Sequence, residues 1–408
     1  LGGNTTGSNN VAIGQDSLKS NTTSSYNTAI GVKSLQNNTA AQNTAVGYNA
    51  LNANTSAEKN VAVGYYGLYA NTTGGSNTAV GHMALMTNTT ATENTAVGTE
   101  ALKVNTTGNS NTAVGRRALY SNTDQGFNTA IGEGALFSST GGNSNTAVGN
   151  QAMYATTTGD ENVALGRNAL DSNTTGSNNV ALGRSAMDIN TTGSNNVAVG
   201  KGALTYNSTA SNNTAVGHAS LYANTTGTQN VALGANAGNS ITTGDNNTMI
   251  GYDAGDTTTT GSNNICLGYN AEPTSITASQ QITLGNSSND ALRCQVTSIS
   301  SLSDARDKTD IVDLPIGLDF LNTIRPVKFT WKHREPVENK DGTSKAGFIA
   351  QELDKAQKDA GVADYMKLVL DDNPEKLEAS AGHLLPVIVQ AIKELSAEVE
   401  QLKSQLNN

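Results

Sequence analysis

The chain has 408 residues, of which only 4% are aromatic and 42 are glycine, a composition unsuited to one large globular core. Its formal net charge is −10 and no basic stripe is present, which argues against a nucleic-acid partner and against attraction to an anionic membrane. Residues 1–302 hold 10 Lys/Arg and 15 Asp/Glu, whereas residues 303–408 hold 14 and 19, so a domain boundary is expected near residue 300.

The first element is a repeat. Asn-(Thr/Val)-Ala-(Val/Ile/Leu)-Gly recurs from Asn10–Gly14 to Asn264–Gly268, with a last variant at Gln281–Gly285. The spacing is 17 residues at every step except one of 16, between Gly31 and Gly47. A constant period in this range points to a solenoid. Within one unit, Val11 and Ile13 point to one face of a short strand and Ala12 to the other. Leu or Met follows four residues after the motif glycine in the first thirteen units, and is read as a second strand facing the first. Asn-Thr-Thr-Gly segments close the coil with turn chemistry. One coil buries too few aliphatics to stand alone, so stacking is obligatory. Neighbouring coils about 4.8 Å apart would give a rod roughly 80 Å long.

Two stripes are expected to run along that rod. The alanines (Ala45, Ala62, Ala79, Ala96) would form a flat, small-residue side that lets copies approach closely, and is read as an oligomer interface. The asparagine opening sixteen of the seventeen units would stack on itself as a ladder of amides bonding along the axis; a sugar-binding ladder is its functional competitor. The Asn-x-Thr triplets match glycosylation acceptors formally, but the turns require Asn and Thr anyway. This pattern resembles the head repeats of trimeric bacterial adhesins. That resemblance implies a parallel β-roll, trimerised through its small-residue face, over residues 1–285.

A Ser-rich connector, residues 286–302, leads to a charged segment of mixed α/β character. The two cysteines, Cys266 and Cys294, support neither a disulfide framework nor a metal site, and His82, His218, His333 and His383 show no triad or metal spacing. No cofactor is expected. No apolar run is long enough to span a membrane and no signal peptide is visible, although the chain opens at Leu1 in mid-pattern, as a fragment would.

Ser303-Asp304-Ala305-Arg306-Asp307-Lys308, then Leu321-Asn322-Thr323-Ile324-Arg325-Pro326-Val327-Lys328-Phe329-Thr330-Trp331, then Gly347-Phe348-Ile349-Ala350-Gln351-Glu352-Leu353 resemble the intramolecular chaperone domain of phage endosialidase tailspikes and tail fibres. The resemblance implies a domain that folds and trimerises the upstream fibre and then releases itself by autoproteolysis, with Ser303 and Lys308 as the dyad. A lysine can deprotonate a serine when burial lowers its pKa. Attack by Ser303 on the Leu302 carbonyl passes through a five-membered ring, which favours Leu302–Ser303 as the scissile bond. Cleavage at Ser303–Asp304 stays open if another protomer's serine attacks. Phe329 and Trp331 are expected in the core, and Gly347–Leu353 as a packed strand-to-helix turn.

Residues 381–408 read as a helix. Leu385, Ile388, Ile392, Leu395, Val399, Leu402 and Leu406 step alternately by three and four, a heptad seam, with Pro386 in the first turn. The fold class expected is therefore mainly β: a homotrimeric parallel β-solenoid of 17-residue coils over 1–285, a connector, a small α/β chaperone domain over 303–380 and a trimeric coiled coil. The function expected is a phage tail fibre or spike, assembled in the host cytoplasm and carried on the virion, that meets other tail proteins and a host receptor, glycan or protein. The alternatives are a bacterial trimeric surface adhesin and a fragment of a polysaccharide-degrading tailspike. A membrane-bound transcription factor with the same self-cleaving domain would need a basic DNA-binding region, which this sequence lacks.

Overall fold

The computed structural model describes residues 2–289, 308–330, 344–370 and 377–406. Its chain divides into two compact units, Leu1–Asp290 and Ala291–Asn408.

The first unit is a solenoid. Each motif contributes one three-residue strand, from β1 (Val11–Ile13) to β17 (Ile282–Leu284), and all seventeen join in one parallel sheet. Consecutive strands pair in strict register, with Ala62 opposite Ala79 and Ala79 opposite Ala96. The motif glycine ends each strand in a conformation only glycine takes comfortably. Gly115 has φ +133, and a Cβ there would lie 2.5 Å from the carbonyl oxygen of Gly132 in the next coil.

Two expectations are corrected here. The alanine stripe is not an outer interface: Ala45, Ala62, Ala79 and Ala96 are fully buried inside the coil. The reason is space. Leu51, Leu68, Leu85 and Leu102 enter the same narrow interior from the opposite side, leaving room for little more than a methyl group. The residues flanking each alanine therefore point outward, and several are markedly exposed, such as Leu165 at 53% and Leu233 at 48%.

The second correction is that the leucine segment is a turn and not a strand. Leu68 sits at φ 47 and Tyr66, two residues earlier, at φ 55, so the backbone curls through two left-handed residues and turns the leucine inward. Hydrogen bonds still run along the axis there, with Leu68 N–H donating to Ala84 O at 3.0 Å.

Asparagine ladders line the interior beside the leucines. The motif asparagines are buried and bond from coil to coil: Asn77 N–H donates to Asn60 Oδ1 at 2.9 Å, and Asn77 Nδ2 donates to Ala91 O at 2.8 Å. The axial ladder thus forms through the backbone more than amide to amide, and its burial leaves no surface for sugar. A second ladder, built from the asparagines of the Asn-Thr-Thr-Gly turns, does run amide to amide. Asn88 Nδ2 donates to Asn71 Oδ1 at 2.8 Å and Asn122 Nδ2 to Asn105 Oδ1 at 2.8 Å. The single 16-residue step falls in the turn between Asn38 and Asn43, where Asn43 N–H still reaches Asn27 Oδ1 at 3.0 Å.

Near the C-terminal end of the solenoid the core is refilled from the other wall. Gly238 and Gly255 stand where earlier coils have leucine, and Met249 replaces alanine in the strand. An added Cβ at Gly238 would lie 3.0 Å from Leu221 and from Ile241, and 3.6 Å from Met249, so the longer side chains occupy the vacated volume.

The second unit is small. Helix α1 (Leu318–Thr323) is followed by an antiparallel pair, β18 (Val327–Phe329) with β19 (Lys345–Gly347), then α2 (Ala350–Asp359) and α3 (Ala363–Met366). A second antiparallel pair, β20 (Val369–Leu370) with β21 (Glu378–Ala379), precedes α4 (Leu385–Leu406). Phe320, Leu353, Val362, Met366, Leu368, Leu384 and Val387 form its core. Gly347–Leu353 is the strand-to-helix turn the sequence suggests, with Leu353 anchored inside. Phe329 is only partly buried, because its two-stranded ribbon has one open face, and Trp331 lies outside the described residues.

Candidate functional site

The blocks that carry the chaperone resemblance are tied together in space. Arg325, which follows α1, forms a two-pronged pair with Glu352 on α2, its Nε donating to Glu352 Oε2 at 3.1 Å while its second nitrogen meets Oε1. This guanidinium holds the Glu352 carboxyl below its ordinary pKa. Glu394 on α4 accepts the backbone N–H of Leu318 at 2.7 Å, closing the first turn of α1, and that bond lowers its pKa. Buried Gln357 accepts from Leu368 N–H at 2.8 Å and fixes the chain between α3 and β20. His383 places Nδ1 2.9 Å from Met366 O, a structural contact.

Lys308 opens the described part of this unit and is exposed. Ser303, Leu302 and the bond between them lie outside the described residues, as does Cys294. Among the described residues no three His, Cys, Asp or Glu side chains are grouped to hold a metal ion, and no helix is long and apolar enough to cross a membrane.

Helix α4 presents two different faces. Val387 and Ala391 are buried on the unit's own core, and α1 packs on the same helix. The heptad seam faces elsewhere: Ile392 is 62% exposed, Leu402 57% and Leu406 84%. Seven apolar side chains on one stripe thus stay in solvent while the helix uses another stripe for its own domain.

Residues 303–362 match the peptidase S74 family, described as chaperone of endosialidase. The match covers the blocks joined by Arg325 and Glu352, and it implies an intramolecular chaperone with autoproteolytic release. Comparison with curated proteins gives no match, and comparison with solved structures gives none.

The shaft's own chemistry lies in columns that sequence reading did not single out. Tyr48, Tyr65 and His82 stack at centroid distances of 5.4 and 5.3 Å, and Tyr120, Phe137 and Tyr154 form a second column at 5.2 and 4.9 Å. Both are legible in the sequence as aromatics repeated at the coil period. Several acids are also perturbed, among them Asp171, which burial and the neighbouring Asp188 push up to about 6, and Glu272, which burial raises to about 7. Cys266, in the place of a motif alanine, is a free, fully buried thiol pushed up by burial to about 12, which suits packing and not reactivity.

Proposed function

We propose that this chain is one protomer of a homotrimeric phage tail fibre or spike that attaches the virion to a host surface. Its C-terminal unit aligns three chains and then cuts itself away at Leu302–Ser303, with Ser303 as nucleophile and Lys308 as base. The observation that carries this reading is the chaperone-of-endosialidase match directly downstream of a solenoid, a combination of folding device and fibre in one chain.

Two features of the fold support the trimer. The exposed α4 seam has the spacing of a short helical bundle. On the shaft, the outward Val, Ile and Leu of the sheet, and not the alanines, supply the apolar stripe along which copies would pack. In this reading the neighbouring protomers supply the burial that Lys308, exposed within one protomer, requires as a base, and cleavage follows assembly.

A denaturing gel of the expressed chain tests the release step. The expected result is a fragment of residues 303–408 that is absent in Ser303→Ala and Lys308→Ala. An uncut chain that is nevertheless trimeric, or a fragment that persists in Ser303→Ala, overturns the dyad.

A further inference from the structure

Between Arg117 and Arg293 the chain carries three Lys/Arg residues, Arg167, Arg184 and Lys201, and one histidine, His218. Each stands immediately after a motif glycine, in four consecutive coils seventeen residues apart. The strands before them, Val163–Leu165, Val180–Leu182, Val197–Val199 and Thr214–Val216, pair in strict register, so the four residues fall into one column, and all four are exposed. A linear reading finds no basic stripe here, because the members of the row are never neighbours in sequence. At about 4.8 Å per coil the row runs for roughly 14 Å along the shaft.

The row is left without counter-ions. Elsewhere on the shaft bases are matched: Arg116 pairs with Glu133, and Glu100 takes both Lys103 and Arg117. Among the described residues no carboxylate forms an ion pair with Arg167, Arg184, Lys201 or His218. Asp171 and Asp188, five places after the glycine in the same coils as the two arginines, have raised pKa values, by burial first, where a paired guanidinium would lower them. The residues that follow the row members in sequence, Asn168, Ser185, Gly202 and Ala219, are uncharged, as are Asn150 and Ala235 at its two ends. Like charges one coil apart repel, so an anion lying along the row relieves the repulsion as it binds.

We propose that this row binds a linear anionic glycopolymer of the host surface, laid along the shaft axis with its acidic groups on successive coils. A guanidinium holds a carboxylate or a phosphate by two parallel hydrogen bonds, and Lys201 adds a point charge. An open row has no cavity to retain a small anion, so its affinity comes from many linked contacts. Spacing selects the polymer. A sugar ring in an extended chain advances by about one coil, whereas same-face side chains of an extended acidic peptide stand about 6.6 Å apart and drift out of step. A nucleic-acid duplex carries its phosphates round a helix, and the chain's net charge of −10 opposes so dense an anion. The inference rests on the attachment reading, and names the ligand class for it.

Biolayer interferometry on the full chain tests it, with polygalacturonate as the carboxylate polymer, poly(glycerol phosphate) as the phosphate polymer, dextran as the neutral one and duplex DNA as the other polyanion. The row variant is Arg167→Gln, Arg184→Gln, Lys201→Gln; uncharged Asn150 and Ala235 already hold this place in other coils, so the coil is retained. The control variant Lys19→Gln, Lys33→Gln, Lys59→Gln removes the same charge elsewhere, at places where Gln36, Gln151 and Gln42 stand in other coils. Binding to polygalacturonate or poly(glycerol phosphate), but not to dextran, is expected, and the tighter of the two names the acidic group. It should fall about tenfold or more in the row variant, weaken with added salt, and persist in the control variant. Binding to neither anionic polymer, equally tight binding to dextran, tighter binding to DNA, undiminished binding in the row variant, or equal loss in both variants overturns the proposal. Labelling of bacterial cells by fluorescent fibres separates the two readings. If row-variant fibres label the same cells as wild type, the row is refuted and attachment stands; if wild-type fibres label no cell tested, attachment itself fails.

Discussion

Most coils hold non-glycine residues at positive φ in three places, for example Tyr66 at 55, Leu68 at 47 and Ser76 at 60. Each left-handed residue costs about 1–2 kcal/mol, and the cost recurs along the whole shaft. It persists because the left-handed leucine is the only large side chain filling each regular coil, and the other two places turn the chain at its corners. Residue choice follows. Valine, isoleucine and threonine are abundant in the repeat, yet none occupies a left-handed place, since a branched Cβ worsens the clash. The expectation is that Ser76→Val, although exposed, lowers stability by about 1–2 kcal/mol, while Ser76→Asn is neutral, because Asn178 and Asn195 hold the same place in other coils. Thermal unfolding followed by circular dichroism measures both. Equal melting of the valine and asparagine variants would remove the steric explanation.

At the scale of the coil, the buried asparagine ladder has visible gaps, and they define a repair. Ser139 and Thr156 occupy two rungs of the turn ladder; Asn122 Oδ1, Ser139 Oγ and Thr156 Oγ1 are buried with no hydrogen-bond partner among the described residues. The double variant Ser139→Asn, Thr156→Asn supplies a Nδ2 donor at both rungs. It should raise stability by about 1–3 kcal/mol in urea unfolding, more than either single change, because one new amide alone leaves its own oxygen facing a hydroxyl. A double variant no more stable than wild type would mean that the hydroxyls are satisfied as they stand.

Which coil features the sequence reveals also follows from physics. Period, strand positions and the motif glycine are legible because each is a local demand repeated in register. The side on which alanine lies is not. In Val-Ala-Val both faces of the strand are apolar, and only the leucine arriving from the opposite wall decides which of them fits inside. The supposed second strand fails for a related reason: apolar spacing cannot distinguish a strand from two left-handed residues that turn a leucine inward. In the C-terminal unit the α4 seam is legible as a heptad. The proposed dyad of Ser303 and Lys308, by contrast, rests only on the motif around it, since two polar residues five apart carry no geometric signal of their own.

For the whole molecule, the difficulty that the proposed trimer raises is register. Coils as alike as these pair almost equally well if one chain slides past its neighbours by a single coil, so a misaligned assembly loses one coil's contacts and keeps the rest. Contacts that do not repeat are needed to choose the alignment, and the second unit offers a surface for them: a seven-residue seam on α4 left uncovered by its own protomer. If three such seams meet first, the coils nearest the junction start aligned and pairing can spread outward from them, as in nearest-neighbour repeat arrays. In the proposed sequence of events, releasing the aligning unit afterwards would remove the route back and make the fibre's persistence kinetic. The shaft expressed as residues 1–302 should accordingly form aggregates or trimers of uneven length, seen by light scattering after size exclusion and by electron microscopy. Ile392→Asp in the full chain should produce the same defect with the shaft sequence untouched, because a carboxylate in the seam opposes helix association while leaving the buried Val387 and Ala391 face in place. A soluble, uniform trimer of normal length from the truncated shaft would show that the coils find their own alignment, and the second unit would then lose its assigned task.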